Sequence, residues 1–295
     1  MKNKEEYAVA IRKPDGSIEV KKDTYKLLTE KYKILGLPFI RGTFSMIDSL
    51  ILGTKILEYS ASFIEDDPNV NETKFDKWLN EHLNENNMKI FTGVITVISF
   101  IIAIGIFSLV PAFIGQLARN SITNDTVAAI IEGLSRIAIF VIYVKLISNV
   151  PDIKRTFQYH GSEHKCINCI ENGLDLTIDN VMISSKEHKR CGTSFLVIVM
   201  IISIFLFMFL RFDNIYIKFL SRIVLIPVIA GVSYEVLRFM GKFDNKLVDI
   251  LSRPGMWMQG LTTLEPDRSE VEVAIRAVEE VFDWKKFKSE NFKDV

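Results

Sequence analysis

The sequence predicts a mainly α, polytopic helical membrane protein with about four transmembrane helices, a helical cytoplasmic loop and a small N-terminal β-hairpin. Three observations carry that prediction. Two long runs contain no charged residue at all. The chain is 48% hydrophobic with a mean hydropathy of +0.21, yet 24% of it is charged, close to the globular average, so apolar and charged residues must be segregated along the chain. Finally, three of the 4 histidines fall in one short polar segment between apolar pairs.

Residues 1–37 form the β-hairpin region: AVAIRKPDGSIEVKK (8–22) alternates around Pro14-Asp15-Gly16, a hairpin signal. Over 38–64 the apolar positions recur at helical spacing, but Arg41, Asp48, Lys55 and Glu58 lie among them. An amphipathic helix, interfacial or core-packed, fits better than a span. Residues 65–89 are polar and acidic, a linker or surface helix.

The first transmembrane pair covers 90–149. Ile90–Gly115 is uncharged and long enough to cross a bilayer with some tilt. Val127–Asn149 carries Glu132, Arg136 and Lys145; Glu132 and Arg136, at i and i+4, suggest an intramembrane ion pair facing other helices. A second pair covers 193–240, with Thr193–Leu210 uncharged and Ile217–Phe239 holding Lys218, Arg222, Pro227, Glu235 and Arg238. Residues 241–295 form a C-terminal region in which Trp257 marks a re-entrant or interfacial turn, and Pro266-Asp267 with Ser269 opens a last helical pattern.

Short-loop basic residues set the orientation. Arg119, Arg211 and Lys218 are few beside Lys154, Arg155, Lys165, Lys186, Lys189 and Arg190 in the loop 150–192, and Lys242, Lys246 and Arg253 follow the last span. Both termini and the long loop are therefore expected in the cytoplasm. Three cysteines make no disulfide framework and suit a reducing compartment. Thirty-six basic residues against thirty-six acidic ones leave no net field to attract nucleic acid.

The chemistry concentrates in 150–192. Pro151-Asp152 restarts a helix and Asn172-Gly173 ends it, and inside lies His160-Gly-Ser-Glu163-His164, an H-x-x-E-H sequence. With His160 at 0°, a rotation of about 100° per residue puts His164 at about 40°, Glu171 at about 20°, Asn168 at about 80° and Glu163 at about 300°. Two imidazoles one turn apart can share one metal ion, with a carboxylate beside them to take a proton from an attacking water. A solvated polar helix face has the same spacing. His188 is the preferred third ligand; Glu171, Cys191 and Glu235 are further candidates. Cys166 and Cys169 rotate to about 240° and 180°, away from the histidines, and read as packing residues.

Several segments, taken together, resemble the YqhQ-like family of bacterial membrane proteins. They are RKPDG (12–16), PFIRG (38–42), FQYHGSEHKCINCIENGLDLTIDNV (157–181), HKRCGTSFL (188–196), PVIAGVSYEVLR (227–238) and PGMWMQGLTTLEPD (254–267), in order and over nearly the whole chain. The family is known as a domain of unknown function and described as predicted metal-dependent enzymes. The resemblance implies a multi-span membrane protein with a His/Glu-rich cytoplasmic segment, and no substrate. The chain departs from the family where members carry a glycine-rich stretch ahead of RKPDG; the pair Cys166 and Cys169 also stands outside the family pattern.

These readings converge on a metal-dependent hydrolase at the cytoplasmic membrane interface. His160, His164 and His188 would hold a divalent ion, zinc first and manganese or iron as alternatives, with Glu163 as general base. Its substrate would be a membrane-associated peptide or lipid, and a homo-oligomer is compatible with the sequence. The alternatives are a non-catalytic metal-binding scaffold or sensor and, with less support because no inverted repeat is visible, a transporter component.

Overall fold

A computed structural model describes residues 1–65, 78–79, 81–122, 124–189, 191–210, 214–243 and 245–292. Of the polar linker expected at 65–89, residues 66–77 and 80 lie outside the described residues. The chain divides into two compact units, one of Met1–Glu58, Val141–Ser203 and Val224–Val295, the other of Tyr59–Phe140 and Ile204–Ile223. Both supply parts of four helices long and apolar enough to cross a membrane: Ile90–Ser121, Thr126–Ile147, Gly192–Phe209 and Leu220–Met240. The protein is thus a polytopic helical membrane protein with a small N-terminal sheet.

That sheet has three antiparallel strands, β1 (Lys2–Asn3), β2 (Glu6–Arg12) and β3 (Ile18–Thr24). Strands β2 and β3 form the hairpin, with Ala10 opposite Val20 and Arg12 opposite Ile18. Asp15 closes the turn by accepting from the Ser17 N–H at 2.8 Å and its hydroxyl at 2.6 Å. A short helix α1 (Leu28–Lys31) and one 3-10 turn (Lys33–Gly36) lead to α2 (Ile40–Glu65). Asp48 of α2 is 1% exposed. It is satisfied by the Tyr25 hydroxyl at 3.0 Å and the Leu28 N–H at 2.9 Å, so it both caps α1 and anchors the sheet's exit strand.

The core of the first unit gathers around the helix of the H-x-x-E-H sequence, α6 (Pro151–Glu171). The helices between α2 and α6 are α3 (Glu85–Ile104), α4 (Val110–Ser121) and α5 (Asp125–Ile147); after it come α7 (Ile178–Ile183), α8 (Gly192–Phe209), α9 (Ile215–Met240), α10 (Lys246–Thr262), α11 (Arg268–Val281) and α12 (Trp284–Asn291). Cys166, Cys169 and Ile170 of α6 pack with Val181 of α7 and Val271, Ala274, Ile275 and Val278 of α11. Both cysteines are completely buried in that apolar cluster, which explains why they face away from the histidines. Burial pushes both thiols above their ordinary pKa. The sheet docks on α11 through Arg12, which reaches the Ser269 carbonyl at 3.1 Å and Glu272 at 2.6 Å, and through Asn3 on the Val281 carbonyl at 2.8 Å. Helix α11 starts in a capping box formed by Asp267 and Glu270.

Helix α2 also crosses α9. Arg41 grips Glu235 with two hydrogen bonds, Nε to Oε1 at 2.7 Å and Nη2 to Oε2 at 2.5 Å. Glu235, expected as a candidate ligand, is occupied by this pair. Beside it the backbone of Phe39 lies on Gly231, where any side chain would put its Cβ 2.1 Å from the Phe39 carbonyl oxygen.

In the second unit the first span is longer than the uncharged run indicated, continuing to Ser121 through one π-helical turn (Gly105–Leu109). Pro111 follows that turn and has no N–H for the Phe107 carbonyl four residues earlier. Arg136 of α5 donates its Nε to that carbonyl at 3.4 Å, and Arg222 of α9 donates to the Ser108 carbonyl at 3.0 Å. The expected pair of Glu132 and Arg136 is present at 3.5 Å, but Arg222 binds the same Glu132 oxygen more closely. Both guanidinium groups stand over the Phe207 ring, 5.3 and 5.2 Å from its centre. The spacing of one helix could not show the third member, which comes from a helix 90 residues away.

Candidate metal centre

The site is built on one face of α6. Pro151 occupies its first turn, where a missing N–H costs nothing, and the helix ends at Asn172-Gly173 as its sequence indicates. Two turns of polar residues then meet a segment that has no regular structure of its own, Ser184 to Lys189. An irregular segment packed against a helix offers carbonyls that no regular element pairs, and here side chains take them. Lys165 takes the carbonyls of Met182 and Ser184 at 2.9 and 2.8 Å, and Asn168 takes those of Ser185 and Glu187 at 2.7 and 2.9 Å. His164 Nδ1 donates to the Lys186 carbonyl at 2.7 Å, and Gln259 Nε2 donates to that of His188 at 2.8 Å. Lys165 is 4% exposed, and Glu265 balances its charge at 3.1 Å.

Helix α10 supplies the other wall. Gln259 is completely buried, accepts the His188 N–H at 2.9 Å and also donates to the Ser194 hydroxyl at 3.2 Å. After Thr262 the chain becomes extended and lies along α6, with Leu264 N–H on the Phe157 carbonyl at 3.0 Å. Glycine is required opposite: a Cβ on Gly161 would stand 2.1 Å from the Leu264 carbonyl oxygen. This close approach brings the Thr262 carbonyl to His160 Nδ1 at 3.1 Å.

Both imidazoles therefore spend Nδ1–H on a backbone carbonyl, which can only accept, and this leaves Nε2 free for other work: a lone-pair donor to an ion in the neutral ring, a hydrogen-bond donor to the Cys191 sulfur only where the ring carries both protons. Cys191 meets them from the loop, its Sγ 3.3 Å from His160 Nε2 and 3.2 Å from the Thr193 hydroxyl. One ligand atom from each of His160, His164 and Cys191 lies within 4.8 Å of the others. An ion bound tetrahedrally at about 2.0–2.3 Å from nitrogen and sulfur wants its donors roughly 3.4–3.8 Å apart. The separations seen exceed that by at most about 1 Å. Burial alone would raise the Cys191 pKa, but hydrogen bonds from His160, His164 and Thr193 outweigh it and bring the thiol down to about 5. Burial in turn lowers the His160 pKa, and the facing Cys191 sulfur and the Thr262 carbonyl more than reverse it, leaving a net rise. The donor set, a thiolate and two oriented imidazoles, fits a borderline-soft divalent ion.

Of the residues expected as ligands, the structure brings His160, His164 and Cys191 together. His188 is not in that group, although its ring lies 6.0 Å from that of His164: Gln259 fixes its backbone and its Nε2 lies 3.2 Å from Glu171. Glu171 faces the same side of α6, about three turns beyond His160 and two beyond His164, and there it meets His188, while Cys191 stands with the two histidines. Glu235 pairs with Arg41 and is not part of the cluster. Glu163 sits between the two histidines in sequence, partly exposed, its charge felt by His160. Gln259, Thr262 and Gly161 were not foreseen as site-forming. Trp257 suggested an interfacial turn, whereas it stands on the outer face of a regular helix, 62% exposed. The signal for the inner face was the polar set Gln259, Thr262 and Thr263 at i, i+3 and i+4.

A multi-span helical membrane protein with a metal-ready His/His/Cys cluster at the start of one span is the class that fold and site define. The family described as "Protein of unknown function (DUF1385)" matches residues 37–284. A Bacillus subtilis (strain 168) protein described as "Uncharacterized protein YqhQ" is 36% identical over 291 residues, covering 98% of this chain and 91% of the relative. The chain belongs to this YqhQ-like DUF1385 family of bacterial membrane proteins. No solved structure matches it.

Proposed function

We propose that this protein is a metal-dependent hydrolase of the bacterial inner membrane, with His160, His164 and Cys191 as the metal ligands and zinc as the ion. The observation that carries the reading is the pair of Nδ1–carbonyl hydrogen bonds, to Thr262 and Lys186, which aim both Nε2 atoms at the Cys191 sulfur. A thiolate in the set favours zinc over manganese. Three protein ligands leave a fourth position, the pattern of catalytic rather than structural zinc sites. Bound there, the ion would supply Lewis acidity. Glu163 is the group we assign as general base, one helical turn from His160 and charged close enough to affect it.

A purely structural ion is the weaker reading. The loop 184–188 is already held by Lys165, Asn168, His164 and Gln259 through its carbonyls, so an ion is not needed to hold it. Substrates are expected from the membrane: Cys191 directly precedes the span Gly192–Phe209, and α10, hydrogen-bonded to Ser194 of that span, exposes Ile250, Leu251 and Trp257. A membrane-associated peptide or a lipid fits that setting. The excess of lysine and arginine around the site supports a cytoplasmic orientation of loop and termini.

The test is metal content and function of the full-length protein in lipid nanodiscs. One zinc per chain is expected, lost in His160→Ala, His164→Ala and Cys191→Ala. Glu163→Gln should keep the metal and abolish complementation of a deletion strain. Wild-type protein without stoichiometric metal would end the proposal; full complementation by Glu163→Gln would leave only the structural ion.

A further inference from the structure

From the end of the sheet to the first residue of α2 the chain carries a row of exposed apolar side chains: Tyr32, Ile34, Leu37, Phe39 and Ile40 are 53%, 71%, 50%, 57% and 41% exposed. In water this would be a costly surface. Its position is fixed by α9. The Phe39 N–H donates to Glu235 at 3.2 Å, the Phe39 carbonyl rests on Gly231, and the Thr43 hydroxyl donates to the Pro227 carbonyl at 3.1 Å. All three α9 residues lie inside the span Leu220–Met240.

The depth follows from helix rise. Gly231 is nine residues from the end of the span, about 13 Å, and even measured from the charged Glu235 it is four residues, about 6 Å, inside. Measured along α9, the backbone of Phe39 therefore lies level with the interior of that span and not with its end. The two flanks of the segment meet one another: Tyr25 and the Leu28 N–H bind Asp48, six residues beyond Gly42 in α2, and close the loop at its neck. Phe39 itself adopts φ +68, the left-handed conformation that a sharp reversal needs and a bulky residue avoids. Its N–H and carbonyl contacts to α9 hold it there.

We infer that Tyr32–Ile40 is a re-entrant turn inserted into the bilayer leaflet where α9 ends, with lipid acyl chains covering Ile34, Leu37, Phe39 and Ile40. Exposed Lys31 and Lys33 flank the descending limb and can extend their ammonium groups back to lipid phosphates. The Arg41–Glu235 pair suits the same depth, since two charges brought to a membrane edge must neutralise one another.

The experiment places spin labels on the full-length protein in phosphatidylethanolamine/phosphatidylglycerol nanodiscs, at Ile34→Cys, Leu37→Cys and, as a reference on the outer strand, Lys22→Cys. Unsubstituted protein gives the background of the three native, buried cysteines. Relaxation by oxygen, which concentrates in hydrocarbon, is compared with relaxation by water-soluble chromium oxalate. The expected ratio of oxygen to chromium accessibility is above one at 34 and 37 and below one at 22. Ratios below one at all three positions put the segment in water and overturn the inference. Protection of 34 and 37 from both reagents means that protein covers them, which overturns it equally. Both substituted side chains are exposed, so the fold should tolerate them, and retained size-exclusion behaviour checks that it does.

Discussion

Gln259 and His188 face each other through two hydrogen bonds, the Gln259 side chain accepting the His188 N–H at 2.9 Å and donating to its carbonyl at 2.8 Å. An amide side chain here imitates a neighbouring strand and holds the loop three residues before Cys191. Gln259→Leu keeps the volume and leaves His188 N–H, His188 C=O and the Ser194 hydroxyl without that partner. At about 1 kcal/mol or more for each group, the cost is on the order of 3 kcal/mol. Metal affinity should fall roughly 10–100-fold although all three ligands remain. Competitive zinc titration against a chelator, with a thermal melt of the same samples, reads both effects.

Cys191 should behave unlike the other two thiols. Its pKa of about 5 lies below the ordinary value, so the thiolate is present above pH 5 and is lost as pH falls through that value. Iodoacetamide should therefore modify Cys191 in metal-stripped protein at neutral pH, and the rate should drop with acidification around pH 5. Cys166 and Cys169, buried and shifted upward, should stay unmodified until the protein is denatured. Zinc should protect Cys191 in holoprotein, and peptide mapping by mass spectrometry distinguishes the three.

Gly161→Ala adds one methyl group and should be severe. Its Cβ would meet a backbone oxygen, that of Leu264, which cannot rotate away as a side chain can. Pushing the Leu264 segment off α6 costs about 1–3 kcal/mol and withdraws the neighbouring Thr262 carbonyl from His160. Reduced thermal stability together with lost zinc is the expected outcome. Gly53→Ala, where a Cβ meets nothing within 4 Å, serves as the neutral control.

The intramembrane cluster of Glu132, Arg136 and Arg222 should be cooperative. Glu132→Ala removes a carboxylate shared by two guanidinium groups and should destabilise by about 3–5 kcal/mol. Adding Arg222→Leu should recover part of that loss, because one orphaned charge disappears. Unfolding in mixed SDS micelles, run as a double-mutant cycle, measures the coupling; additive losses would contradict it.

The fold was largely legible because lipid imposes strong patterning. Uncharged runs such as Thr193–Leu210 admit few readings, and the hairpin around Pro14-Asp15-Gly16 is a local signal. Two of the three clustered donors were legible for the same reason, since His160 and His164 lie one turn apart on one helix. The third was not. Whether His188 or Cys191 completes the group depends on Gln259, 71 residues from His188, and on Glu171 capturing the His188 ring first. Sequence spacing carries no information about such captures. Arg222 joining Glu132 escaped for the same reason, and Arg41 on Glu235 likewise turned a candidate ligand into half of an ion pair.

The hydrogen bond from His160 to the Thr262 carbonyl spans 102 residues. On the ribosome, His160 and His164 emerge and fold into their helix well before α10 has been synthesised. Until then His160 lacks the contact that fixes its tautomer and its aim. The centre can therefore mature only after the last two spans have been threaded into the bilayer, so metallation becomes a late event in biogenesis, and a chain whose membrane insertion stalls should not acquire the ion at full affinity.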